Sequence, residues 1–348
     1  MNSLPPEVQL DVLKCVNFDQ LVSVRQTNRY FNNFIDGYQN ELARLKFNKL
    51  NISIDANINQ STIYEIIPLE SVISKFVLND QLKEKWQQAI SKSIPLYLQD
   101  YEDRNPFAVK LDKIYFDLKK KKLRHYILKL PNFPKNIKEM SIVRCWLERL
   151  FNCFFEYTGF NNLFNPEMIN LLFDNDKSIP LRFIIQKPSL NVGSLSYGLD
   201  NALKFVLNHL SISESLIIDF NENNILEQQM DILFNILTKE GNKWSQFCLK
   251  SYRCFEMSRL YGLIFEHITS KDCSKLVPVI MLEYISELNF EVNKEAENVE
   301  IKQFNGVKYT KYQITNKHDP NLKFSFCNAE FKEQANFIFK IRITKIKI

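Results

Sequence analysis

The stretch Ser3-Leu-Pro-Pro-Glu-Val-Gln-Leu-Asp-Val-Leu13 decides how the start of this chain folds. Pro5 and Pro6 suit the first turn of a helix, where amide hydrogens have no intrahelical partner. Glu7 falls in that turn and complements the positive end of the helix dipole. Val8, Val12 and Val16 then recur four apart, with Leu13 beside them, and so form one apolar stripe. A chain end ordinarily frays. An amphipathic helix placed so close to one implies a partner that holds it down.

Working outward, Asn17 ends this unit and caps the next, with Gln20 completing a capping-box pattern. Leu21 and Val24 form the apolar face of a second short helix. A third starts at Asn28 and carries Phe31, Phe34, Ile35, Tyr38, Leu42 and Leu45 at three- and four-residue steps. Three helices in fewer than fifty residues cannot bury all of this apolar surface alone. A partner protein is one reading; an ordinary helical hairpin packed on its own chain is the other.

The order Leu4-Pro5-x-Glu7-Val8, then Val12-Leu13, Val16, Phe18, Leu21, Val24 and the aromatic Phe31, resembles the F-box. The phrase from Leu4 to Ile35, in so Asn-, Ile-, Lys- and Phe-rich a chain, looks like the large nematode F-box group. In place of the apolar residue and Cys or Ser that many members carry before the aromatic, this chain has Thr27-Asn28. The resemblance implies docking through Leu4, Pro5, Glu7, Val8, Val12, Leu13, Val16, Phe18, Leu21, Val24 and Phe31. The implied partner is a Skp-type adaptor and, through it, a cullin–RING ubiquitin ligase. It further implies a non-catalytic subunit that presents an unknown protein substrate for ubiquitination. A non-degradative interaction scaffold is the alternative.

The bulk composition agrees with a folded, non-membrane protein. Of 348 residues 45% are hydrophobic and 13% aromatic, enough for a large core. Forty-five basic and 40 acidic side chains nearly balance, which argues against a dedicated nucleic-acid binder. The run Lys119–Arg124 reads as a solvated turn, with a phosphate-contacting patch as its alternative. Seven cysteines, an odd number without a C-x-x-C pair, fit reduced thiols in the cytoplasm or nucleus. No leader or long apolar run suggests secretion or a membrane span. Only 7 glycines are present, and the familiar phosphate-cradling loops are missing.

Beyond the first helices, residues 49–138 read as a mixed α/β connecting region. Asn79–Ser93 is helical, with Leu82, Trp86 and Ile90 on one face, and short strands lie around it. From 139 to 288 strand-like runs (MSIV, PLRFIIQ, SLIIDF, QFCLKSY, PVIMLEYI) alternate with helical ones at Leu147–Phe154, Leu203–Leu210, Met230–Leu237 and Leu260–His267. A shorter helical stretch spans Asn165–Phe173. Strand centres at Phe183, Ile218, Leu249 and Ile280 stand 35, 31 and 31 residues apart. That spacing predicts stacked strand–helix units with a parallel sheet, leucine-rich-repeat-like in architecture only, or a single α/β domain without true repeats. In 289–348 the Asn305-Gly306 turn and alternating residues predict antiparallel strands capping the array. The expected fold class is thus α+β/α/β, with an F-box over 1–48.

No chemistry stands out. His125, His209, His267 and His318 lack metal-ligand spacing, and His267 occupies a core position of its helix. Cys145 or Cys153 would act as a nucleophile only beside a base that sequence does not reveal. No cofactor or metal is expected. Alternation within the strands puts Leu181, Phe183, Ile185, Leu216, Ile218, Phe220, Phe247 and Leu249 toward the helices. Arg182, Ile184, Asp219, Lys250 and Tyr252 then share the opposite face, a candidate substrate surface.

Overall fold

Three short helices open the chain: α1 (Pro6–Lys14), α2 (Phe18–Arg25) and α3 (Arg29–Gly37). The computed structural model describes every residue except 1–3, 39–40, 55–62, 72–75, 99–106, 118–119, 175, 177–178, 193–197, 222–224, 252–254, 287–290, 334–335 and 348. The Asn17 carboxamide accepts the Gln20 amide at 2.9 Å and Gln20 Oε1 accepts the Asn17 amide at 2.9 Å, the capping box that the sequence predicts. Asn28 Oδ1 accepts the Phe31 amide at 2.9 Å and starts α3. That helix stops at Gly37, so Leu45 belongs to the first strand and not, as its spacing suggested, to the helix.

The chain then alternates between strands and helices. β1 (Leu45–Ile54), β2 (Glu65–Ile66), α4 (Asp80–Ser91), β3 (Phe107–Asp117) and β4 (Lys120–Leu128) come first. Next are α5 (Ile137–Phe151), β5 (Cys153–Phe160), α6 (Pro166–Phe173), β6 (Phe183–Asn191), α7 (Gly198–His209), β7 (Leu210–Ile212) and β8 (Ser215–Asp219). α8 (Glu227–Lys239), β9 (Gln246–Ser251), α9 (Phe255–Ser270) and β10 (Val279–Ser286) follow, then β11 (Glu297–Phe304), β12 (Val307–Thr315), β13 (Leu322–Glu333) and β14 (Asn336–Lys347). The run MSIV, expected as a strand, lies inside α5, and Phe154, expected on that helix, lies on β5. At MSIV the helical period of Met140, Val143, Leu147, Leu150 and Phe151 overrides the local strand preference, whereas beyond the Asn152 cap Phe154 pairs in the sheet between Lys46 and Ile184.

These fourteen strands share one mixed sheet, in the order β11-β12-β13-β14-β10-β9-β8-β6-β5-β1-β3-β4-β2, with β7 beside β6. The middle six, β1, β5, β6, β8, β9 and β10, run parallel. Each crossover from β5 to β10 steps to the next strand in the same direction. Right-handed crossovers therefore put α6, α7, α8 and α9 on one face. Ile52, Phe160, Leu190, Ile218, Leu249 and Leu282 form one register row under those helices, each at most 1% exposed. The register partner of Ile218 is Leu190, not Phe183, so successive units differ by 28 to 33 residues along that row.

The antiparallel tail strands cap the array at its β10 end, in the plane of the sheet. They extend it sideways: β14 pairs antiparallel with β10, and Ile341 continues the buried row from Leu282. Apolar residues at alternate positions (Phe339, Ile341 and Ile343) match the pleat of the neighbouring strand, and the pairing satisfies the β10 edge. One large core underlies the whole sheet. A separate small one, built on Leu13, Leu21, Ile35 and Leu42, holds the three N-terminal helices.

Candidate functional site

Two surfaces concentrate the residues that the sequence singles out. The first is α1. Pro5 and Glu7 are exposed; Val8 and Val12 remain 42 and 37% exposed along one stripe of the helix, and Leu4, just before it, is 39% exposed. Beside them stands Tyr30 of α3, whose hydroxyl donates to Gln9 Oε1 at 3.1 Å and whose ring stacks on Phe34. Gln9, itself buried, donates to the Leu4 carbonyl at 2.7 Å and so ties the start of the helix to its face. The other sequence-selected residues lie deeper. Leu13, Leu21 and Phe31 are buried within the helical unit, while Val16, Phe18 and Val24 are half-buried. Thr27 Oγ1 donates to the Val24 carbonyl, and with the Asn28 cap it turns the chain between α2 and α3. The Thr27-Asn28 departure thus has a local structural use.

The second surface is the sheet face turned away from the helices. Leu216, Ile218, Phe220, Phe247 and Leu249 are buried as the alternation requires, with Phe183 and Ile185, while Leu181 is half-buried. Asp219 and Lys250 are register partners on the outer side, and the row continues through Glu283 of β10 and Lys340 of β14. Lys250 Nζ lies 3.6 Å and Lys340 Nζ 3.0 Å from the Glu283 carboxylate. Ile184 and the exposed Arg182 are elsewhere. Asp219 registers with Asn191, seven residues along β6 from Ile184, roughly 23 Å at the usual strand rise. Tyr252 lies outside the described residues.

A step in the pleat separates the two groups. In β1, β5 and β6 the inward positions jump from Phe47 to Leu50, Phe155 to Thr158 and Ile185 to Pro188, all in register. The outward residues at the step form their own polar line, with Lys46 paired to Glu156 at 2.6 Å and Lys187 to Glu214 at 2.7 Å. Sequence alternation alone could not locate this shift. The sequence reading also passed over Glu283 and Lys340, because nothing near them in sequence reveals that β14 pairs with β10.

Residues 1–41 match the family described as the F-box domain. The N-terminal helical unit is thus similar to the F-box domain. Residues 67–221, from just past β2 to just past β8, match a domain of unknown function, DUF8381. No curated protein and no solved structure matches the chain.

The F-box joins the sheet through Arg44, whose Nη1 donates at 3.1 Å to the Phe151 carbonyl at the end of α5. That carbonyl end carries the negative pole of the helix dipole. The cleft between F-box and sheet, about 660 Å³, is lined by Arg25, Arg44, Arg144 and Arg149 among others. Arg144 is only 2% exposed; its guanidinium packs over the Phe76 and Phe173 rings at 3.8 and 4.5 Å and donates to Asp176 at 3.0 Å. Its place is therefore structural.

The remaining candidates show little reactivity. Burial pushes the Cys153 thiol up to about 12 and Cys248 to about 11, so both stay protonated and weakly nucleophilic at neutral pH. Among the described residues no group of three or more His, Cys, Asp or Glu could hold a metal ion, and no helix is long and apolar enough to cross a membrane. His267 is half-buried, edge-on to the Phe234 ring. Of the basic run, Lys119 lies outside the described residues. Arg124, on β4, lies over the Tyr115 ring at 4.5 Å.

Proposed function

We propose that this chain is the substrate-receptor subunit of a Skp–cullin–F-box ubiquitin ligase, akin to the nematode F-box group its first helices resemble. The observation that carries the reading is the exposed apolar set of Leu4, just before α1, and Val8 and Val12 on it, in a domain matching the F-box. Burial of such a stripe contributes about 25 cal/mol per Å² of apolar surface, and a helix laid in a groove is an economical way to bury it. Leu13, Leu21 and Phe31 support that face from beneath. The outer sheet face around Asp219 and Lys250 presents the target, and ubiquitin transfer is performed by the recruited conjugating enzyme.

The double variant Val8→Asp/Val12→Asp tests this reading. Both side chains are exposed, so the variant should fold while placing two carboxylates against the adaptor's apolar groove. Loss of adaptor co-purification with an unchanged melting temperature is the expected result. Adaptor capture at the wild-type level would overturn the assignment.

A further inference from the structure

The outer face carries a groove of about 380 Å³ where the parallel strands give way to the antiparallel tail. Its floor is an apolar row that crosses strands in register: Ile285 of β10, Ile338 of β14 and Phe331 of β13. The row runs on through Val307 to Phe304, which stands 67% exposed on the sheet's last strand. Along the rim are Lys250, Lys332 and Lys340, and among the described lining residues the carboxylate is Glu283. Lys250 and Lys340 both pair with that carboxylate, and Lys340 also lies 5.7 Å from the centre of the Phe331 ring.

From this geometry we infer that the groove binds an acidic segment of a partner protein, one that inserts a large apolar side chain between flanking carboxylates. The inference rests on the substrate-receptor reading and names the substrate class for it. Among the described residues three ammonium groups stand against Glu283 and, next to Lys250, Asp219, which leaves the rim positive on balance, and complementary charge on a partner steers docking and excludes basic competitors. The apolar floor supplies the anchor site, since a few buried large side chains dominate protein recognition. Glu283 is the internal competitor: it holds two of the three lysines until an incoming carboxylate takes them. Its removal should therefore strengthen binding, an effect that a merely structural ion pair would not produce.

The test uses the full chain, alone and mixed with the adaptor, and three fluorescent peptides, measured by anisotropy. EEDFLDEE carries both anchor and charge, EEDSSDEE lacks the anchor, and KKRFLKRK reverses the charge. EEDFLDEE should bind at least tenfold more tightly than either control and weaken as salt rises. Lys250→Glu/Lys340→Glu should lower its affinity at least tenfold, and Glu283→Gln should raise it severalfold. Circular dichroism and melting of each variant check that the fold is kept. Equal binding of all three peptides, no binding of EEDFLDEE at 1 mM, or affinity unmoved in both variants would overturn the inference while adaptor capture leaves the receptor reading standing. If the chain binds the peptide as expected but captures no adaptor, the groove stands and the receptor reading falls.

Discussion

His209 shows how one side chain makes the fold sensitive to pH. It ends α7, is buried, and its Nδ1 lies 3.0 Å from the Leu181 carbonyl with Phe205 alongside. A carbonyl only accepts, so Nδ1 carries the proton and donates. Burial lowers the imidazole pKa below its usual 6.5; the carbonyl opposes this weakly and the nearby Arg182 charge adds to it. Above about pH 6.5 both folded and unfolded chains are neutral at this site, and the full stability is present. As pH falls below that value, the unfolded chain takes up a proton that the folded site resists, so stability declines until the lower, folded pKa is reached. His209→Asn keeps a donor near the Leu181 carbonyl and removes the titration. Between pH 7.5 and 5.5 the wild-type melting temperature should fall further than that of the variant. Parallel curves would mean that His209 does not contribute. His267, lowered mainly by burial, acts in the same direction and remains in both proteins.

Each short F-box helix depends on its cap, because the small core beneath offers few buried residues: Leu13, Leu21, Ile35 and Leu42. Asn17→Ala removes one half of the capping box that starts α2. Loss of a cap costs about 1 kcal/mol, so amide exchange within α2 should speed up about fivefold. Exchange in β9, held in the separate large core, should not change; equal acceleration in both would show that the two cores unfold together. This cap was legible because Asn17 and Gln20 are three residues apart. The same holds for α4, where Leu82 and Trp86 are buried four residues apart, and for α7, α8 and α9, except that Leu210, expected on α7, starts β7. Strand pairing was less legible, since its partners are distant in sequence. Nothing near Ile338 says that it stands opposite Ile285 and Phe331, and nothing near Ile185 shows that the inward position skips to Pro188. The candidate substrate face was accordingly half readable: Asp219 and Lys250 meet, while Arg182 and Ile184 lie far down the sheet.

The molecule is organised as a small helical unit beside a large continuous sheet, and the two ends of the chain differ in how much depends on them. Residues 1–43 contain the F-box with its own core, and the first strand begins only at Leu45. A chain of 44–348 keeps Arg44 on the end of α5 and the whole sheet core. It should stay soluble, melt cooperatively and lose adaptor capture. The other end is different. β14 pairs with β10 along its whole length, from Val279 to Ser286. Tyr261 and Phe265 of α9 pack on Phe326 of β13, and Tyr261 shares a 2.8 Å hydrogen bond with Tyr312 of β12. Deleting 297–348 would bare one face of α9, leave Tyr261 without that hydrogen bond and expose the unpaired edge of β10. An exposed apolar edge strand templates aggregation. The 1–296 chain should therefore be recovered mainly in the insoluble fraction, even though every strand–helix unit between β5 and β10 is intact. A soluble 1–296 chain with wild-type melting would mean that the tail strands decorate the sheet and do not complete it.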